Sequence, residues 1–450
     1  MLTFVALALF ARQRDFGTAF LRSTDLLRFS PLRRMAHPLA VVLRAIGCAL
    51  FVLTLATGFF GNPDAYANLI VTMVWVLWWV GMAFFSALIG DLWEIANPLP
   101  AMYRAVVRVA GCRESLGWAY PARWGAWPAV ALFFLFAWAE LVWQDKDEPR
   151  AIATALLAYA VLSWGGMLLF GVEVWRSQAD AFAMVFRVLG RFAPFELRGS
   201  SPSLPTEPAE PARLRLRPYA AGLLANEPVS NSVAAFVLLM LATVTFDGFH
   251  ETPLMDRIGT AAQTSRPVAE TLFALSSATG LDETQWLNTF VLLLFPLAFV
   301  LIFRGVGAWM LRLAGRAGSE GRTEADLNAM VWSLVPIAVA YHLAHYASLL
   351  LTTGQFIVPL ASDPFGWGWD LFGTRGRSVD LGILSPAVYW YVAVALIVVG
   401  HVLAVIVAHV EAARRFANHR AALMSQLPML ALMVAYTSLS LWIMAQPIVG

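Results

Sequence analysis

Two histidines three positions apart are the clearest sign of chemistry in this sequence. His342 and His345 lie in the apolar stretch VAYHLAHYASLL, and the whole chain contains only seven His residues. On an α-helix, residues three apart share a face, with Cβ atoms roughly 5–6 Å apart. Two imidazoles arranged in this way can hold one metal ion when a neighbouring helix supplies a third ligand. Polar packing between helices is the alternative interpretation of the pair.

The further metal ligands are predicted from the depth of the other histidines in the membrane. The helix that carries the His pair is predicted to run outward, and the next helix runs back inward. On that next helix His401 lies near the middle, whereas His409 lies about 12 Å deeper at 1.5 Å per residue. His250, in TFDGFHETP, follows the outer end of another helix. We therefore predict a divalent transition metal, zinc or copper, with the ligands His342, His345, His401 and His250.

Acidic residues reach the same outer layer. Asp247 and Glu251 flank the end of the apolar segment 229–248, and Glu140 lies in FAWAELVW at the end of segment 125–143. Ionisable groups are costly within a bilayer, so those that occur there indicate function. We predict Asp247 and Glu251 as catalytic carboxylates, with Asp247 either a general base or a fourth metal ligand. The alternative for Asp247 and Glu140 is that they extend to the aqueous interface without a further role.

The composition places these residues in a membrane protein. Apolar residues make up 59% of the chain and charged residues 13%, whereas soluble domains have about 45–50% and about 25%. The apolar stretches run for about 20 residues, as membrane-spanning helices do, rather than alternating over about 10 residues, as barrel strands do. The sequence therefore predicts an all-α, polytopic transmembrane bundle of about ten helices.

Nine spans can be placed directly on the sequence. They lie near 38–60, 66–90, 125–143, 151–172, 229–248, 286–304, 328–351, 387–411 and 422–446. A tenth is indicated by MLTFVALALFA at residues 1–11, which is too short to cross alone and lacks the features of a signal peptide. We interpret it as the end of a span that is truncated in this sequence.

The distribution of basic residues predicts the orientation. On the alternating topology, 24 of the 31 Lys and Arg residues lie in one set of loops, six lie in the opposite set, and Arg44 lies within a span. Cytoplasmic loops carry the excess of Lys and Arg. The Arg-rich loops are therefore predicted to be cytoplasmic, in a bacterial inner membrane. The net charge of +2 reflects two opposed faces rather than a nucleic-acid surface.

A Pro-rich stretch divides the chain. GSSPSLPTEPAEPARLRLRP, at residues 199–218, is typical of a linker. The predicted organisation is an N-terminal membrane part (1–195) that ends in an interfacial helix near 181–195, a cytoplasmic linker (196–228) and a C-terminal membrane part (229–450) with the His residues. The sequence contains no Walker A motif, GxSxG elbow or CxxC pair, which weighs against an ATPase, a serine hydrolase of that fold and a thiolate metal site.

Five stretches of the sequence are distinctive beyond their composition: WPAVALFFLFAWAELVW, TFDGFHETP, YHLAHY, GQFIVPLASDPFGWGWDLFG and SQLPMLALMVAYTSLSLWIMAQP. In these stretches the chain resembles the bacterial integral membrane proteins of the fenitrothion hydrolase family. The resemblance extends over most of the chain from about residue 40 onward. Relatives begin with an additional N-terminal segment, and this sequence departs from the pattern there. The resemblance implies a membrane-bound hydrolase of organophosphorus triesters.

Three classes of function follow from these residues. A metallohydrolase would use a metal-activated water on an apolar phosphotriester that arrives through the lipid. A redox protein would use His342 or His345 together with His401 to bind haem b, or would bind copper. A transporter would use the outer polar residues as a substrate or proton site. Membrane lipids and an apolar small molecule are the predicted partners, and the sequence leaves the need for partner subunits open.

Overall fold

The protein is an all-α bundle, as the sequence predicts. The computed structural model describes residues 22–198, 213–224, 228–316, 324–380, 382–383, 385–415 and 419–446. Its helices are α1 Ser30–Phe60, α2 Leu69–Leu88, α3 Trp93–Ala96, α4 Pro98–Ala110, α5 Trp127–Leu141, α6 Pro149–Phe170, α7 Val172–Gln178, α8 Ala181–Phe192, α9 Asn231–His250, α10 Pro253–Thr264, α11 Arg266–Thr279, α12 Glu283–Arg316, α13 Glu324–Ala329, α14 Val335–Thr352, α15 Ile357–Ser362, α16 Pro386–Arg415 and α17 His419–Met444. Short 3₁₀ turns lie at Leu26–Arg28, Gln144–Asp147, Ala221–Leu224, Met330–Leu334 and Thr353–Phe356.

Each of the nine directly placed spans corresponds to a helix. Within the described residues, eight helical segments are long and apolar enough to cross a bilayer. The ninth, α5, has 15 residues, or roughly 22 Å, which is shorter than a hydrocarbon core of about 30 Å. The prediction for residues 1–11 lies outside the described residues.

The second helix contains an irregular turn pattern. Residues Thr72–Gly81 of α2 form a π-helix, a rare geometry that frequently occurs at functional sites. The start of α2 is fixed by Asn68, whose side chain accepts a hydrogen bond from the Ile70 N–H and donates one to the Thr57 carbonyl of α1. Capping of this kind satisfies backbone groups that the helix ends leave without partners.

Helix α8 is buried inside the bundle. The sequence predicts an interfacial helix here, and ten of its twelve residues are buried in the structure. Asp180 caps its first turn by accepting from the N–H groups of Phe182 and Ala183, and Tyr159 of α6 donates to the same carboxylate oxygen at 2.8 Å. Phe182 packs against Trp78 with ring centroids 4.5 Å apart. Helix α8 therefore supports the π-helical part of α2 from within the protein.

The predicted linker contains regular structure at both ends. The strands β1 (Thr24–Asp25), β3 (Arg213–Leu216) and β2 (Phe195–Arg198) form a small antiparallel sheet in that order. The buried turn Ala221–Leu224 then packs beneath α8. Residues 199–212, which hold most of the Pro-rich sequence, lie outside the described residues.

Candidate functional site

An aspartate, a histidine and a tyrosine from two helices meet at one carboxylate oxygen. Nε2 of His345 on α14 lies 3.0 Å from Oδ2 of Asp247 on α9. The hydroxyl of Tyr346 donates to the same oxygen at 2.5 Å. Because a carboxylate oxygen can only accept, Nε2 carries a proton, and in the neutral imidazole Nδ1 is then the basic nitrogen. We call these three residues the Asp–His–Tyr cluster.

Contacts within α14 and from α16 hold the cluster in position. The ring of Tyr341 stacks on the ring of His345, with centroids 5.9 Å apart and an interplanar angle of 11°. Tyr389 of α16 donates its hydroxyl hydrogen to the backbone carbonyl of Ala344 at 2.8 Å. The backbone of α14 beside His345 is therefore fixed to α16.

A cavity of about 980 Å³ extends from this cluster to the loops at one end of the bundle. It lies at the carboxyl ends of α5, α9, α14 and α17 and at the amino ends of α2 and α16. The polar cluster side chains that reach it are Asp247, His345 and Tyr346. This end of the bundle is opposite to the Arg-rich loops, and therefore the predicted outer end.

The charges around the cavity are mostly negative. Glu140, Asp147, Asp247 and Glu251 are the acidic residues that line it, and Lys146 is the only Lys or Arg among its described lining residues. Trp75, Tyr66 and Phe356 supply apolar wall. The cavity therefore suits a neutral or cationic apolar molecule better than an anion.

His345 is accessible from the cavity. The side chain is 13% exposed, and that of Asp247 is 18% exposed. Nδ1 of His345 makes no hydrogen bond to the described residues, and it is not among the buried polar atoms that lack a partner. Nδ1 is consequently free to accept a hydrogen bond, or a proton, from a molecule in the cavity.

His342 has a different environment from its neighbour. Its ring lies among Trp79, Phe84 and Tyr346, with centroid separations of 6.0, 6.0 and 4.6 Å. Its Nε2 is buried and has no hydrogen-bond partner among the described residues. A smaller cavity of about 40 Å³ lies beside it and shares Glu140 and Tyr346 with the large one. The two histidines therefore share a helix face but line two different, adjoining cavities.

The other predicted ligands bind to separate partners. His401 donates from Nδ1 to its own helix at the Ile397 carbonyl, 2.7 Å away, and its Nε2 is buried without a described partner. His250 Nε2 accepts a hydrogen bond from the Asn288 side chain at 3.0 Å. Glu251, the predicted second carboxylate, is exposed just beyond α9 and lines the cavity.

The predicted metal centre is not assembled by these positions. Across the described residues, no group of three or more His, Cys, Asp and Glu side chains could hold a metal ion. His345 and Asp247 are hydrogen-bonded to one another. Nε2 of His250 is hydrogen-bonded to Asn288, and Nδ1 of His401 to the Ile397 carbonyl. Zinc, copper or haem b at this site stays a prediction.

Three residues of the site were not predicted from the sequence. Tyr346 follows His345 directly and therefore lies about 100° away around the helix, where spacing gives no reason to join the two. The short side chain of Asp247 lies between them and reaches both. Lys146 and Tyr389 belong to a loop and to another helix. The one sequence feature that indicates this polar cluster is that a tyrosine stands next to each histidine in YHLAHY.

The comparisons with known proteins add no family to this picture. No protein-family model matches the chain, and no curated protein or solved structure shows a significant match. The fold and the cavity define a class: this chain is an integral membrane protein with many spanning helices and a polar, acidic cavity near one end of its bundle.

Proposed function

We propose that this protein is a membrane-embedded hydrolase of neutral, apolar phosphotriester-like esters, with the Asp–His–Tyr cluster activating the attacking water. The observation that carries the proposal is the hydrogen bond from His345 Nε2 to Asp247 Oδ2 at the wall of the large cavity. A general base whose far nitrogen is oriented by a carboxylate is a recurrent arrangement in hydrolytic enzymes. The resemblance to fenitrothion hydrolases agrees with it.

The chemistry can be written with these residues alone. Nδ1 of His345 takes a proton from water as the water oxygen forms a bond to phosphorus. The bond from phosphorus to the aryl oxygen breaks, and the aryloxide leaves with its electron pair, to be protonated by the imidazolium or by solvent. Asp247 stabilises the imidazolium through the Nε2 hydrogen bond. The products are a phosphodiester and a phenol.

The charge of the cavity suits this direction of reaction. A phosphotriester is neutral and apolar, so it partitions into lipid and is not repelled by the acidic side chains of the cavity. Both products carry negative charge at neutral pH if the phenol is acidic. The acidic wall then repels them, which favours their release.

Release of the coloured 3-methyl-4-nitrophenolate from fenitrothion by purified protein in liposomes tests the proposal. We expect His345→Gln to lower the initial rate about 100-fold or more, since general-base groups contribute about 10²–10⁴-fold. His37→Gln, at an exposed position in α1, is the matched control and should keep the wild-type rate. No turnover by wild-type protein, or equal turnover by both variants, would contradict the proposal.

The same assay separates the base from a metal ligand. His401 does not line the cavity, so His401→Gln should leave the rate within about twofold if the cluster acts alone. A loss as large as that of His345→Gln, together with a stoichiometric metal in the wild-type protein, would favour the metallohydrolase instead. A Soret band would favour the haem protein.

Proton-coupled transport is the second candidate. Four side chains that can exchange protons, namely Glu140, Asp247, His345 and Tyr346, line one cavity, and the smaller cavity continues from it towards His342. Such a chain of protonatable groups resembles the proton relays of transporters. Proteoliposomes with an internal pH dye would show substrate-dependent acidification if this candidate is right and fenitrothion hydrolysis is absent.

A further inference from the structure

A second, positively charged pocket lies at the other end of the bundle. This arginine pocket has a volume of about 330 Å³ and is lined by α1, α3, α4 and α7 and by Asn97 between α3 and α4. Its basic residues are Arg44, Arg104, Arg108 and Arg176, and Glu94 is the only acidic residue among its described lining residues. Four guanidinium groups therefore meet around one small pocket.

Two of the four arginines are neutralised by carboxylates. Arg176 is 9% exposed and pairs with Glu94 at 2.6 Å and with Glu173 at 3.3 Å. Arg104 pairs with Glu173 at 2.7 Å and with Glu114 at 3.0 Å. This network fixes the inner wall of the pocket, because each guanidinium bridges two carboxylates.

The other two arginines form no such pairs. Neither Arg44 nor Arg108 has a carboxylate within ion-pair distance among the described residues. The four arginines and the carboxylates of Glu94, Glu114 and Glu173 together carry one excess positive charge. A singly charged anion between Arg44 and Arg108 would neutralise that excess.

The pocket lies at the depth of lipid headgroups. Arg44 is 16 residues before the end of α1 at Phe60, which corresponds to roughly 24 Å along a helix. The hydrocarbon core is about 30 Å thick, so Arg44 lies close to its boundary. Only 6% of the residues in the apolar window of α1 are buried within the protein, so this helix presents most of its surface to lipid.

Apolar side chains on the two helices that carry Arg44 and Arg108 are exposed as well. Ile46 of α1 is 49% exposed, and Val106 and Val109 of α4 are 51% and 90% exposed. Exposed apolar residues next to basic ones on a short amphipathic helix are typical of a segment that lies in the membrane interface. A free phosphate ion would use the arginines alone, whereas a phospholipid would use both surfaces.

We propose that the arginine pocket binds the phosphodiester headgroup of an anionic phospholipid such as phosphatidylglycerol. Arg44 and Arg108 contact the phosphate oxygens, the ion pairs of Arg104 and Arg176 fix the wall behind them, and the acyl chains lie along the exposed apolar surface of α1 and α4. The guanidinium fork fits two oxygens of one phosphate. This site is independent of the hydrolase proposal, because it lies at the opposite end of the bundle.

Native mass spectrometry of the detergent-purified full chain tests the site. The probes are phosphatidylglycerol, phosphatidylcholine of the same acyl chains, and inorganic phosphate. We expect one phosphatidylglycerol to bind about 10- to 30-fold more tightly than phosphatidylcholine, from two arginines near the membrane surface. Arg44→Gln/Arg108→Gln should abolish the preference, whereas Arg375→Gln/Arg377→Gln, at the other end of the bundle, should keep it.

Each other outcome would overturn the proposal. Equal binding of the two lipids by the wild-type protein would show that no anionic headgroup is selected. An unchanged preference in Arg44→Gln/Arg108→Gln would place the lipid elsewhere. Displacement of the lipid by millimolar inorganic phosphate would reassign the pocket to a soluble anion. If the double variant does not fold, Arg108→Gln, at an exposed position, replaces it, and the wild-type comparison of the two lipids still decides.

Discussion

Removing the carboxylate of Asp247 should also remove the energetic contribution of the Tyr346 hydroxyl. Tyr346 donates to Oδ2 at 2.5 Å from a buried position, and His345 donates to the same oxygen. A hydrogen bond to a charged group contributes about 1.5–3 kcal/mol to stability. In the wild-type background, Tyr346→Phe should therefore destabilise the protein by that amount.

In the Asp247→Ala background, Tyr346→Phe removes no hydrogen bond to the carboxylate. The tyrosine hydroxyl then lacks its acceptor, so replacing it by hydrogen costs nothing or stabilises the protein. The coupling energy of the double-mutant cycle should thus be about 1.5–3 kcal/mol. Thr245→Ala is the matched control: Thr245 lies on the same helix but bonds to Tyr436, so its coupling to Tyr346→Phe should be below about 0.5 kcal/mol.

The free energy of unfolding is measured for all variants in mixed detergent micelles, with helix content followed by circular dichroism during titration with a denaturing detergent. Both cycles are recorded under the same conditions. A coupling below about 0.5 kcal/mol between Asp247 and Tyr346 would refute the description of the cluster as one hydrogen-bonded unit. The proposed orientation of His345 would then lose its basis.

Three further predictions concern positions outside this pair. Burial, with the negative charge of Glu94 as a second cause, raises the pKa of Asp91 from 3.8 to about 7. Between these two pH values the folded protein holds a proton that the unfolded chain has released. The free energy of unfolding should therefore fall as pH rises from about 4 to 7, by at most about 4 kcal/mol at 1.36 kcal/mol per pKa unit. Asp91→Asn should flatten that dependence in thermal unfolding recorded across pH. A Cβ at Gly248 would clash with the Tyr341 hydroxyl oxygen. Gly248→Ala should therefore destabilise the protein by about 1–3 kcal/mol and reduce turnover. An unchanged melting temperature would contradict this packing. His401→Gln should leave hydrolysis within about twofold and cost about 1 kcal/mol of stability, and a total loss of turnover would argue for a ligand role.

The fold could be predicted because membrane helices are specified by composition and length. Continuous apolar stretches identify spans without knowledge of their neighbours, and the nine that lie in the described residues are helical. Helix α8 shows the limit of that reasoning. Arg187 and Arg191 give its sequence an amphipathic pattern, but burial within the bundle depends on Trp78, Asp180 and other partners that are distant along the chain.

The site was only partly predictable for the same reason. Depth along each helix follows from residue number, so Asp247 and His345 could be placed in one layer. Rotation about the helix axis depends on packing, and it places His250 beside Asn288 and His401 beside Tyr436 rather than beside the pair. Sequence spacing therefore predicts which residues share a depth and leaves open which of them meet.

Hydrolysis of paraoxon, diethyl 4-nitrophenyl phosphate, in ¹⁸O-labelled water tests the central claim most directly. The wild-type protein in liposomes should form diethyl phosphate that carries one ¹⁸O atom, and unlabelled 4-nitrophenol, because the water that His345 activates attacks phosphorus. His345→Gln should form both products about 100-fold or more slowly than the wild-type protein. Label in the 4-nitrophenol, or full activity of His345→Gln, would contradict a water-activating cluster of Asp247, His345 and Tyr346.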